Sequence, residues 1–195
     1  MKLQKIIFHT ILISISTLSI FGQTVQKKQH ETLQSNDVNI VDEQNLKWSE
    51  LDAYVGKYSK DTGFFENDLV KTELKKILDD DFNAYMKFVE TAGYGIIEKV
   101  DNIIYGDVSM MHVGGYNSLF LIDTKKREMY LFWMNGALRD KEYQIYGTRP
   151  IPETIKKIIE DDMNTGFGHV AKFYFKNDHL EINVINPTGN DIQRR

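Results

Sequence analysis

No cysteine occurs among the 195 residues, and that absence removes more chemistry than any other feature of the chain. It excludes a thiolate nucleophile, a CxxC redox pair, a Cys-held zinc or iron–sulfur cluster, a disulfide scaffold and a lipid-bearing cysteine at an amino terminus. Proline is scarce too, at 3 residues against 13 glycines, so collagen-like and proline-rich disordered chains are excluded. G-x-S-x-G, H-E-x-x-H and the Walker loop are missing, and no His/Asp group has metal-ligand spacing, so neither a cofactor nor a metal is expected. An excess of positive charge is also lacking. With 24 Lys and Arg against 28 Asp and Glu, the net charge is −4, which gives no electrostatic case for binding nucleic acid or an anionic membrane surface.

What remains is ordinary globular composition, 42% hydrophobic and 27% charged. The first 23 residues read as a secretory signal: Lys2 and Lys5 precede an apolar run over 6–21, and Gly22 offers a small residue near the cleavage point. That run is too short for a comfortable transmembrane span of about 20 apolar residues. Export to the periplasm or the medium is therefore expected, with no membrane insertion after cleavage. Loss of Lys2 and Lys5 would take the net charge to −6. Residues 24–47 are polar, lack an apolar period and read as a flexible spacer. A single domain is expected over 48–186, followed by a disordered polar tail at 187–195.

Within that domain the helical period comes first. Leu69, Val70, Leu74, Ile77 and Leu78 share one face, and Phe82, Tyr85, Met86 and Val89 follow at i, i+3, i+4 and i+7. These predict two short helices joined near Asp79, Asp80 and Asp81, whose carboxylates are expected to serve as helix N-caps and first-turn charge. Short β-branched or aromatic runs then occupy 96–100, 103–111, 118–123, 128–134 and 141–146. Asn135-Gly136 predicts a two-residue type I′ hairpin turn. Pro150 and Pro152 lead into a helix over 153–163, with Ile155, Ile158 and Ile159 on its inner face. A last hairpin is expected over 170–184, turning at Asn177-Asp178. The fold class is α+β, an antiparallel β-sheet meander with flanking helices on one side.

Candidate chemistry is thinly marked. Gly166-Phe-Gly168-His-Val-Ala171 fits a dinucleotide G-x-G-x-x-A, but it leads from a helix into a strand and reads as a helix C-cap. Asp161 and Asp162 read as solvated charge at a helix end. Trp133, inside the apolar run 129–134, reads as core. The informative segment runs from Tyr105 to Asp123, where His112 stands in a strand-to-strand connection just ahead of Gly114 and Gly115, which permit a tight loop. From pattern alone this histidine serves either a turn or a partner.

The succession of Tyr54-Val-Gly56-Lys-Tyr58, the helical stretch 69–89, His112 in its connection, the strand ending Leu121-Ile122-Asp123 and the hairpin to Met129-Tyr130-Leu131 resembles the periplasmic inhibitors of vertebrate-type lysozyme. The resemblance, over about 54–146, implies an antiparallel sheet with flanking helices and a protruding loop whose histidine enters the lysozyme cleft. That family's loop runs Cys-x-x-His-x-Cys; here those positions are Ser109, His112 and Gly114, so the histidine stands and the stiffening disulfide is gone. The implied partner is a basic lysozyme-type protein, bound by His112 with Met110, Met111, Gly114, Gly115 and Tyr116 around it, and the implied activity is inhibition, not catalysis. Two alternatives stay open. One is an envelope binding module with a sticky patch at Met110, Met111 and Tyr116. The other is a hydrolase whose dispersed site joins His112 to Asp107 or Asp123. The oligomeric state is left open.

Processing gives a first test. Mature protein should begin near Gln23, and limited proteolysis should cut the spacer while 48–186 resists. Mass spectrometry of the fragments checks both, and a protected spacer would place it inside the domain.

Overall fold

The computed structural model describes residues 47–110, 116–136 and 142–185. The expected signal at 1–23, all of the spacer but Lys47 and the tail at 187–195 lie outside the described residues. The architecture follows from two strands that are apolar on both faces. In β4 (Tyr116–Asp123) and β5 (Glu128–Asn135), Leu119 and Leu121 point one way and Phe120 and Ile122 the other, and all six residues of 129–134 are buried. Such strands need cover on both sides.

The sheet is antiparallel throughout, in the order β1 (Gly93–Tyr94), β3 (Ile103–Ser109), β4, β5, β6 (Tyr143–Tyr146), with β2 (Glu98–Val100) also pairing β3. One face carries α1 (Asp68–Leu78) and α2 (Phe82–Thr91). Their Val70, Leu74, Tyr85 and Val89 pack with Ile104, Val108, Phe120, Ile122, Leu131 and Trp133. The other face carries α3 (Glu153–Phe167) and the separate hairpin of β7 (Ala171–Lys176) and β8 (His179–Val184). There Ile155, Ile159, Met163, Phe173, Leu180 and Ile182 meet Leu119, Leu121, Tyr130 and Phe132. The α+β meander is thus as the sequence indicates, and its helices cover both faces where one was expected, because β4 and β5 have no polar face to offer water.

Local chemistry sets the helix ends. Asn67 caps α1, its Oδ1 accepting from the main-chain N–H of Leu69 at 2.9 Å and of Val70 at 3.3 Å. The three aspartates form a single 3₁₀ turn, with Asp79 at φ 48°. Asp81 makes no side-chain cap to α2 and instead accepts the Tyr146 hydroxyl at 2.8 Å, so its role is to tie β6 to the helices. On the other face α3 grips the edge of β7. Asn164 Nδ2 donates to the Phe173 carbonyl at 2.8 Å while its Oδ1 accepts from the Phe173 N–H at 3.0 Å, and Glu160 accepts from the Phe175 N–H. These side chains satisfy backbone groups on an edge strand that would otherwise invite pairing.

The two hairpin expectations part company. Asn177-Asp178 turns between Lys176 and His179, with Asn177 at φ 58°, and Asp178 is anchored by the ammonium of Lys156 at 3.0 Å. Asn135-Gly136 does not form the type I′ turn: neither residue has positive φ, and β5 pairs with β6 through Met134↔Tyr143 and Phe132↔Ile145. Register is set by side-chain packing. Stacking of Tyr143 on Phe132, centroids 5.9 Å apart, selects a longer connection than a two-residue turn allows; its residues 137–141 lie outside the described residues.

Phe120 is the aromatic hub of the α1/α2 side. Its ring stacks on Phe64 at 4.6 Å and meets Phe65 edge-on at 5.5 Å. Phe120→Ala should therefore lower stability by about 3–5 kcal/mol, read as an earlier midpoint in urea unfolding.

Candidate functional site

The end of the sheet that carries the β3–β4 connection is built from short-range pairing. Ser109, the last residue of β3, is flanked by Gly93 on one side and Asn117 on the other, and Asn117 is in turn paired with Met134. Tyr116 opens β4 opposite Asn135. Between these feet, Met111, His112, Gly114 and Gly115 lie outside the described residues. Met110 is half-buried and packs against the α1/α2 core. It also lines a shallow cleft of about 590 Å³ with Tyr58, Lys60, Asp61 and Tyr94, where the Lys60 ammonium lies 5.3 Å from the Tyr94 ring centroid.

Asp123 is placed at the end of β4 away from the β3–β4 connection. It lies seven residues along β4 from Tyr116, about 23 Å in an extended strand, and its Oδ1 caps the β4–β5 turn by accepting from Lys125 and Lys126 main-chain N–H groups at 3.1 and 2.9 Å. Asp107 is two residues from the loop end of β3 and faces α3. There its carboxyl fills the space beside Gly95, where a Cβ would come within 1.6 Å of Oδ1. Burial raises its pKa above the ordinary value.

Asp107 belongs to a group of carboxylates that sequence reading does not assemble. Asp162 of α3 is mostly buried, with its pKa pushed up to about 7, first by desolvation and then by the charges of Asp107 and Glu98. The expectation of solvated charge holds for Asp161, which is exposed, and is corrected for Asp162: α3 extends to Phe167, so Asp162 stands inside the helix and against the sheet. Glu98 accepts the Tyr105 hydroxyl at 2.8 Å. Burial and this acceptor raise the Tyr105 pKa to about 12. The α3 face is visible in the sequence as a helical period, but the meeting of β2, β3 and α3 is a tertiary event that no linear spacing encodes. Among the described residues no group of three or more His, Asp or Glu is arranged to hold a metal ion. No helix among them is long and apolar enough to cross a membrane.

The domain is thus a three-layer α+β sandwich with a strand connection at one end and an acidic cleft on the α3 side. Residues 69–165 match the family model described as Inhibitor of vertebrate lysozyme (Ivy), and by that match, which runs from α1 almost to the end of α3, the chain belongs to the Ivy family. No curated protein and no solved structure matches it.

The carboxylate group has a pH signature. An Asp with its folded pKa near 7 and an ordinary value of 3.8 holds in the folded state a proton that the unfolded chain has released. Its contribution to stability is complete below pH 3.8 and lost as pH rises to about 7. Asp162→Asn should therefore raise stability at pH 8 by about 2 kcal/mol, with little effect at pH 4, and flatten the fall in melting temperature between them. Calorimetric melts across that range check it.

Proposed function

We propose that the protein is exported and that it binds and inhibits a lysozyme-type muramidase through the β3–β4 connection, with His112 as the central contact. The observation that carries this reading is the family match over 69–165, because that segment contains the whole β3–β4 hairpin and the histidine between its strands. A family named for lysozyme inhibition supports binding over catalysis.

The physical chemistry is coherent with it. A lysozyme works with two carboxylates, one held protonated. An imidazole set between them donates to one, engages the other and occupies the place of the sugar. Histidine suits the task because its charge and tautomer adapt near neutral pH. Net charge of −4, or −6 once a signal is removed, favours encounter with a basic enzyme. The feet of the connection support it as well. Ser109 and Asn117 each have a strand partner on both flanks, which fixes where the loop departs from the domain without a disulfide. Met110, Met111, Gly114, Gly115 and Tyr116 complete the contact in this reading.

The decisive variant is His112→Ala. It should weaken inhibition of a muramidase by about thirtyfold, roughly 2 kcal/mol, with the melting temperature nearly unchanged. A wild-type protein that neither binds nor slows any of a panel of muramidases would replace this reading with that of a non-catalytic envelope binding module.

A further inference from the structure

The proposed contact, residues 110–116, amounts to 7 residues, whereas a stable protein–protein interface engages about 20–30 residues on each side and buries about 800 Å² per partner. The connection alone does not reach that size. A loop that enters a cleft brings the rim of that cleft down on the ground beside the loop's feet, so the rest of the contact falls on whatever flanks β3 and β4 at that end of the sheet.

The ground on the β1 side is the shallow cleft of about 590 Å³, which has Met110, the first residue of the connection, in its wall beside Gly93 and Tyr94 of β1. Gly93 is the strand partner of Ser109, so the cleft is continuous with the foot of the loop. Another part of its wall is Tyr58, which is 50% exposed and belongs to neither apolar core. Its bridge partner Ile96 is 45% exposed. Large apolar side chains left open to water in this way mark contact surfaces when they stand together. The others of this kind stand elsewhere: Val100 ends β2 opposite Ile103, away from the connection, and Tyr174 lies in the hairpin on the α3 side.

The main chain around Tyr58 is fixed to the sheet. Gly56 N–H donates to the Ile97 carbonyl at 2.8 Å and Ile97 N–H to the Lys57 carbonyl at 2.9 Å, while the Thr62 hydroxyl donates to the Tyr58 carbonyl at 3.1 Å. A large ring on a rigid base has only two side-chain torsions to lose on binding, so little offsets its contact. Charge does not distinguish this surface. The Lys60 ammonium lies over the Tyr94 ring and Asp61 stands next to it, so the two formal charges of the lining cancel and the cleft offers ring and thioether surface.

We propose that the muramidase rests the rim of its own cleft on this surface, with Tyr58 as a second anchor beside His112. The proposal rests on the inhibitor reading and supplies the contact that the connection lacks. Apolar contact of this kind slows dissociation and is indifferent to salt.

Titration of a muramidase with the full chain, together with dissociation rates, tests it. Tyr58→Ala should weaken inhibition about tenfold, through faster dissociation and equally at low and high salt, with the melting temperature nearly unchanged because the ring lies outside both cores. Tyr174→Ala, which removes an equally exposed ring on the α3 side, should leave inhibition as it was. Hydrogen exchange of the wild-type chain adds an arm that needs no variant: amides of 57–62 and 92–96 should slow when the muramidase binds, and those of 171–184 should not. Unchanged exchange at 57–62 in the bound complex overturns the proposal, as does an equal loss from Tyr174→Ala. Inhibition by Tyr58→Ala within about twofold of wild type, while His112→Ala loses it, overturns this contact and leaves the inhibitor reading standing. A wild-type chain that binds no muramidase gives the other pattern, which removes the inhibitor reading and this contact with it.

Discussion

Burial of β4 and β5 on both faces is the constraint from which the rest of the molecule follows. Phe120 and Ile122 demand one apolar layer, and Leu119 and Leu121, one residue away on the same strand, demand another. The chain supplies the first from residues ahead of the sheet, in α1 and α2, and the second from residues behind it, in α3 and the β7–β8 hairpin. The hairpin at 171–184 lies beyond the matched family segment 69–165, yet Phe173, Leu180 and Ile182 are buried with Ile155 and Ile159. In this chain it completes the outer layer. Lys156 shows how firmly it is tied: its ammonium is shared between Glu153 at 2.8 Å and Asp178 in the hairpin turn at 3.0 Å.

Polarity rises along the sheet toward the β3–β4 connection. At the far end the strands are filled with Ile103, Ile104, Leu121 and Ile122. Near the connection the same positions hold Asp107, Asn117 and Ser118. Ser118 shares a hydrogen bond with Tyr85 at 3.1 Å, and burial holds the Tyr85 hydroxyl in its neutral form. Asn117 offers its Nδ2 only to the sulfur of Met163 at 3.9 Å, and its buried Oδ1 has no protein partner among the described residues. Each of these groups costs stability relative to an aliphatic side chain unless fully paired. Concentrating them at one end leaves the other end to hold the fold, and departures from core logic of this kind gather where a chain is selected for something besides folding.

The readable part of the sequence was the part governed by local period. Alternation in 103–109 and the unbroken run 129–134 announce strands, and 69–89 announces two helices, because burial repeats at 2.0 or 3.6 residues whatever the partner. Turn chemistry was legible only where packing agreed with it. Asn177-Asp178 turns as written, while Asn135-Gly136 is overruled by the pairing of Phe132 with Ile145 and Met134 with Tyr143. Strand β1 went unread because two residues beginning with glycine carry no period, and it exists only as the partner of Val108 and Ser109. The carboxylate cluster was illegible for a deeper reason. Glu98, Asp107 and Asp162 are ordinary surface residues in sequence, and their significance arises only when Gly95 leaves room for one of them and α3 lies down over the others.

On the inhibitor reading, the missing cysteines at Ser109 and Gly114 pose the sharpest physical question, since a loop disulfide limits the conformations that binding must otherwise freeze. The sheet answers part of it. A disulfide fixes the separation of two loop residues, and strand pairing fixes the separation and direction of the feet: Ser109 is set opposite Asn117 at ladder spacing, and both are held by outer neighbours, Gly93 and Met134. Each neighbour adds backbone hydrogen bonds that resist splaying of the hairpin, so the entropy removed by a cross-link in a cysteine-bearing loop is removed here, in part, by a fourth strand. That strand is β1, the two-residue element with least claim to exist on its own sequence. Its pairing to the last residues of β3 therefore has a consequence out of proportion to its length: it anchors the edge from which the connection bearing His112 departs.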